Sequence, residues 1–142
     1  MPAAMPAGPA RSDQAPACQG SPLAARVEAY FAAVDQMDLA ATLACFTDDA
    51  RVTIATFDTV YRGRDTEVRG MYSRLFARYA SVWHGEFDHV VQPPERIASQ
   101  FTVRNVSPQG VVTVKHNCNF FCFQLGRICD MSVYMSGDNS LG

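Results

Sequence analysis

The chain is short of the features that announce several functions. It has 12 Lys and Arg against 14 Asp and Glu, a formal net charge of -2. No basic block stands out, so nothing points to nucleic acid or an anionic membrane surface. Charged residues make up 18%, and no apolar run approaches the roughly 20 residues of a membrane span. No apolar stretch follows a basic start, so a secretory signal is not expected. A P-loop, a dinucleotide fingerprint and a nucleophile elbow are all missing, and the residues call for no cofactor. Cysteine is present but unpatterned: Cys18, Cys45, Cys118, Cys122 and Cys129 are odd in number and irregular in spacing. They read as reduced thiols of a cytoplasmic protein.

What is present suits one domain: 142 residues, 48% of them apolar, enough to fill a core. Residues 1–22 hold five of the eight prolines and show no periodicity, which predicts a disordered tail. Order begins at Ser21-Pro22, an N-cap followed by a proline suited to the first helical position. Leu23, Val27, Tyr30, Phe31 and Val34 recur at helical spacing, predicting a helix to about Met37. Asp38 caps a short second helix through Leu39, Leu43 and Phe46. Alternation over Arg51–Phe57 predicts a strand. Tyr61–Asp65 leads to a third helix with Val68, Met71, Tyr72, Leu75, Phe76 and Tyr79 on its apolar side.

The remainder reads as sheet. Strands are expected over about Trp83–Val91, ending at Pro93-Pro94, Arg96–Val106, Val111–Phe123 and Arg127–Ser136. Ser107–Gly110 is a turn, and Gln124-Leu125-Gly126 suits a three-residue hairpin loop. Residues 137–142 read as a tail. The fold class is therefore α+β: three N-terminal helices packed on a curved antiparallel sheet of about four to six strands, around a pocket.

This order of elements resembles the nuclear transport factor 2-like superfamily, which includes ketosteroid isomerase and the SnoaL-like polyketide cyclases. Local text carries the same resemblance: Val27-Glu28-Ala29-Tyr30, Val34-Asp35-Gln36-Met37-Asp38, Phe46-Thr47-Asp48-Asp49-Ala50-Arg51-Val52, Tyr61-Arg62-Gly63-Arg64-Asp65 and Phe123-Gln124-Leu125-Gly126-Arg127-Ile128. The match covers residues 23–136 and implies a cone whose wall is the concave sheet face. Laid on ketosteroid isomerase, the oxyanion-binding tyrosine falls on Tyr30. The carboxylate base falls on Ile54, which cannot take a proton, and the second oxyanion donor falls on Asn119. Tyr30 and Asn119 could together bind a carbonyl or enolate oxygen.

The same resemblance places Lys115, Asn117, Asn119 and Phe121 on the concave face and, across the hairpin loop, Cys129, Met131, Val133 and Met135 on that face too. Met131 stands where relatives often keep a His or Asp. His84 beside Trp83 is the candidate for the missing base, because imidazole titrates near neutrality; the competing reading is an interfacial residue at a strand start. Asp35 and Asp58 are candidate acids or solvated loop charges. Lys115, at a strand's open end, is expected to be solvated rather than a Schiff-base lysine. His116, Cys118 and Cys122 share a face, but 118 and 122 are separated by about 13 Å along a strand. One tetrahedral ion cannot take both, so no metal site is expected. With Phe120 they form an apolar outer face, which predicts a homodimer.

The resulting expectation is a cofactor-free isomerase, cyclase or dehydratase acting on a small, apolar, carbonyl-containing molecule through an enol-like intermediate. Tyr30, His84 and Asn119 are the expected catalytic residues. Asn117 would orient the substrate, and Ile54, Met71, Phe87, Phe121, Met131 and Met135 would form the wall. The alternatives are a non-catalytic binding or dimerisation module and, more weakly, an epoxide hydrolase, which would need a carboxylate–arginine–carboxylate cluster.

Overall fold

The computed structural model describes residues 21–142. The expected disordered tail, with Cys18, lies outside the described residues except for Ser21 and Pro22, which cap and open the first helix. Helix α1 spans Pro22–Asp35. Its Ser21 hydroxyl accepts from the Ala24 N–H at 3.0 Å, satisfying one of the orphan donors of the first turn. The helix stops at Asp35 rather than Met37 because Met37 adopts a left-handed φ of 54°. Asp38 then caps α2, Leu39–Ala44, its carboxylate accepting from the Ala41 N–H at 2.9 Å.

Strand β1 runs Phe46–Ile54, beginning five residues before the expected Arg51. Phe46, Ala50, Val52 and Ile54 are buried, whereas Asp48 and Asp49 lie on an exposed irregular stretch between them. That stretch breaks the alternation and reads locally as a turn. Residues 55–57 form a single 3₁₀ turn in place of the strand's expected end. A four-residue edge strand, β2, Thr59–Arg62, was not anticipated; two pairs of residues are too few to show a period. Helix α3 opens with a wide π-type turn, Gly63–Val68, and continues as a regular helix over Arg69–Arg78. No helix among the described residues is long and apolar enough to cross a membrane.

Strands β3, Ser81–Gln92, β4, Arg96–Val106, β5, Val112–Gln124, and β6, Arg127–Met135, complete the sheet. The order is β2-β1-β6-β5-β4-β3. Every pair is antiparallel except β1 with β6, which is parallel and brings Phe46 opposite Ile128. The β5–β6 loop has two residues, not three: Gln124 pairs Arg127, and Leu125 and Gly126 both have positive φ, as a type I′ turn requires. A side chain at Gly126 would collide with Arg26, whose Nη1 donates to the Gly126 carbonyl at 3.1 Å. A register shift between Cys122 and Phe123 turns Cys129 away from the concave face and places Ile128 in the core instead.

The curved, unclosed sheet wraps α1 and α3, and the core lies between them: Val27, Phe31, Phe46, Val52, Met71, Tyr72, Phe121, Ile128 and Met131 are all buried. Each such side chain contributes roughly 1.5–3 kcal/mol of burial free energy. The outer face carries His116, Cys118, Phe120 and Cys122 at alternate positions, as expected, with Phe120 45% exposed and Tyr134 49% exposed. Residues 137–142, read as a tail, fold back with Ser136 over the open end of the cone.

Candidate functional site

Strand alternation and the sheet's curvature aim one face of β4, β5 and β6 at the helices. The space they enclose is lined by Tyr30, Phe31, Tyr72, His84, Phe101, Asn105, Asn117, Asn119 and Met131, with Ser140 and Leu141 from the folded-back segment. Its enclosed volume is only about 30 Å³, room for about one or two waters.

The Tyr30 hydroxyl, from α1, is hydrogen-bonded to the Tyr72 hydroxyl of α3. Both rings are buried, and burial pushes both phenols well above the ordinary tyrosine range. They therefore stay protonated. When one donates to the other, the acceptor's own proton remains for a further partner. Asn119 donates through Nδ2 to the Met131 thioether at 3.6 Å, a weak acceptor that a carbonyl oxygen would outcompete. The side-chain oxygens of Asn105, Asn117 and Asn119 are buried without a partner. Each such orphan costs about 1–3 kcal/mol. Three amides so placed around one small cavity favour a site over a filled core.

At the other side, β3 holds His84 against the end of α1. The imidazole Nδ1 lies 2.6 Å from Asp35 Oδ1, and the His84 backbone N–H donates to Asp35 Oδ2 at 3.1 Å. A carboxylate receiving the backbone N–H can only accept from Nδ1, so Nδ1 carries a proton and, in the neutral ring, the lone pair is on Nε2. The ring stacks on Phe31 with centroids 4.6 Å apart, which fixes its plane. Asp35 is the last residue of α1, where a negative charge opposes the helix dipole by roughly 0.3–1 kcal/mol. Two hydrogen bonds from His84 offset that cost.

The fold thus brings Tyr30, His84, Asn117, Asn119 and Met131 to one cavity. Ile54, Met71 and Phe121, expected along the wall, do not line it. The rings of Tyr30, Phe46, Tyr72 and Phe121, with centroids 5.6–6.4 Å apart where they meet, fill that end of the cone. Phe87 stacks instead between Phe31 and His89, and Met135 packs beside the Lys115 ammonium at 3.3 Å. Lys115, expected in solvent, is only 3% exposed, because the segment after β6 covers it. Asp35 is His84's partner rather than an independent acid, and Asp58 sits in an exposed left-handed turn.

Tyr72 and Asn105 were not among the sequence-derived candidates. A tyrosine on a helix's apolar stripe had a signal of its own, since a buried phenol needs a partner. An asparagine within a strand of otherwise apolar inward positions had another. Among the described residues no three His, Cys, Asp or Glu side chains converge as a metal site would require.

Solved structures share this architecture at low sequence identity. A ketosteroid isomerase-like protein of Catenulispora acidiphila, in complex with trimethylamine, superposes with a TM-score of 0.69 at 14% identity over 77% of this chain and 83% of that one. An NTF2-like protein of Burkholderia pseudomallei gives 0.68 at 20% identity, covering 84% and 92%. A candidate polyketide cyclase of Pseudomonas putida gives 0.69 at 21%, covering 77% and 87%. No curated protein matches the chain by sequence. Residues 27–131 match the model of the SnoaL-like domain, and with three helices, the curved sheet and the cone in place, the chain belongs to that family.

Proposed function

We propose that this chain binds a small carbonyl-containing molecule in the cone and catalyses its isomerisation, cyclisation or dehydration through an enol. The observation that carries the reading is the Asp35–His84 pair, whose imidazole lines the same cavity as Tyr30 and Asn119. His84 Nε2 takes a proton from the carbon next to the carbonyl. The C–H electron pair becomes the C=C bond, and the carbonyl π pair moves onto oxygen. The free hydroxyl proton of the Tyr30–Tyr72 pair and the Asn119 amide stabilise that oxygen. His84 then returns the proton at a new position, or ring closure or loss of water follows. No cofactor enters these steps. The three unpartnered amide oxygens are acceptors, so the ligand carries hydrogen-bond donors such as hydroxyl groups beyond the reacting carbonyl.

The test is deuterium exchange next to the carbonyl in a panel of cyclic and aryl ketones, followed by NMR in deuterated water. Asn119→Ala and Tyr30→Phe are each expected to lower the exchange rate about 10²–10³-fold, the usual loss on removing an oxyanion donor. Unchanged exchange in both variants would sink the assignment.

Two points favour a non-catalytic binding module: Ile54 occupies the position of the isomerase base, and the closed cavity has room for water but not for an organic substrate. Exchange no faster than background in the wild-type chain, with ligand affinity reduced in both variants, would select that reading. Epoxide hydrolysis is not supported, since no arginine lines the cavity.

The same proposal includes a homodimer formed through the outer face, where Trp83, Val114, Phe120 and Tyr134 are exposed together with Cys118 and Cys122 half-buried. Phe120→Arg is expected to convert a dimer to a monomer in sedimentation equilibrium. A wild-type chain that already sediments as a monomer overturns it.

A further inference from the structure

The cavity cannot accept an organic ligand as it stands. Its volume of about 30 Å³ is an order of magnitude below the roughly 300–1,000 Å³ of sites that bind such molecules. Part of its wall is Ser140 and Leu141, from the segment that follows β6. That segment forms no helix or strand. Side chains from three separate elements hold it. Lys115 Nζ of β5 donates to the Asp138 carbonyl and, at 3.4 Å, to the Ser140 hydroxyl. Arg78, at the end of α3, donates to the Ser140 carbonyl at 2.7 Å and the Gly142 carbonyl at 2.5 Å. The Tyr61 hydroxyl of β2 donates to the Leu141 carbonyl at 3.0 Å.

We propose that residues 136–142 are a strap that lifts to admit the ligand and is latched shut in its absence by the side chains of Lys115 and Arg78. This rests on the reading of the cavity as a ligand site. Three features support it. The strap is attached by side-chain hydrogen bonds, which break a few at a time, rather than by a ladder that opens cooperatively. Its first turn passes through Gly137 at φ +70°, a conformation glycine adopts freely and other residues resist. One of its two latches is the chain's single lysine, buried with a thioether, a hydroxyl and a carbonyl for company. Burial by the strap pushes this ammonium below the ordinary lysine range, with the Asp138 carboxylate opposing the shift. Lifting the strap returns Lys115 to water, so part of the opening cost is recovered as solvation.

Hydrogen exchange read by mass spectrometry on the full chain tests this. In the wild-type protein the amides of 137–142 are expected to exchange at least tenfold faster than those of β4–β6. Lys115→Met keeps the apolar stem and removes that latch; Gly137→Ala leaves both latches and strains the turn, its Cβ meeting only Lys115 Cε at 4.0 Å. Each is expected to speed strap exchange a further five- to tenfold without changing the strands. Binding of 1-anilinonaphthalene-8-sulfonate should rise several-fold in both, with the near-ultraviolet circular dichroism retained. Strap exchange as slow as the strands, acceleration spread through β4–β6, or unchanged dye binding each overturns the proposal. These readouts involve no turnover. A rigid strap would leave the roles of Tyr30 and Asn119 standing, and inactive chemistry would leave the strap standing.

Discussion

Replacing His84 by alanine is expected to reduce ketone proton exchange about 10²–10⁴-fold, the range a positioned general base supplies. The expectation follows from geometry. Asp35 fixes the proton on Nδ1 and Phe31 fixes the plane of the ring, so Nε2, the proposed base, needs no reorganisation to act. Asp35→Asn retains shape and bonding capacity but can present its NH₂ to the imidazole, which favours the wrong tautomer. It should lose most of the activity, and Asp35→Glu should recover part of it. Chemical rescue distinguishes a base from a packing residue: free imidazole should restore exchange to His84→Ala and not to Asn119→Ala. His84→Ala rates within twofold of wild type, or rescue of neither variant, would exclude His84 as the proton carrier.

Phe46→Ala should cost about 3–5 kcal/mol of folding free energy, as large-to-small changes at fully buried aromatic positions do. Phe46 is 0% exposed. Its ring meets Tyr30 edge-on at 5.6 Å and Tyr72 at 5.9 Å, so the loss includes aromatic contacts as well as area. It also opens β1 in the parallel register opposite Ile128. Against a total of roughly 5–15 kcal/mol for a domain, the change would bring the protein near the edge of stability. Phe57→Ala, at a 40% exposed position in the 3₁₀ turn, should shift stability by only about 0.5 kcal/mol. Urea unfolding with unchanged m-values measures both. A cost below about 1.5 kcal/mol for Phe46→Ala would mean that the residue ends α2, as its local sequence suggests, rather than seeding the sheet.

That ambiguity at Phe46 shows where sequence reading stops. Features stated within one turn or one strand were legible. Ser21-Pro22 and Asp38 marked helix starts, because a cap bonds an N–H three residues away. Alternation through Lys115, Asn117, Asn119 and Phe121 marked the concave face of β5, because a strand's side chains repeat every second residue. The resemblance carried Tyr30 and Asn119 to the cavity on the same basis. The concave position of Cys129 failed where a bulge inserted one residue and reversed the alternation beyond it.

What only the tertiary structure decided depends on residues far apart in the chain. Asp35 and His84 are 49 residues apart and Tyr30 and Tyr72 are 42 apart. Neither spacing carries a period, so Asp35, His84 and Tyr30 stand out only as separate candidates, and the Asp35–His84 and Tyr30–Tyr72 pairs form only as the sheet curves around α1. The burial of Lys115 is the sharpest case. On β5 alone it sits at a strand's open end in reach of water; it becomes an enclosed latch because residues 136–142 return across it. Periodicity and capping are local consequences of backbone geometry. Convergence on a cavity is set by the curvature of the sheet and the path of the chain over it, which no window of neighbouring residues encodes.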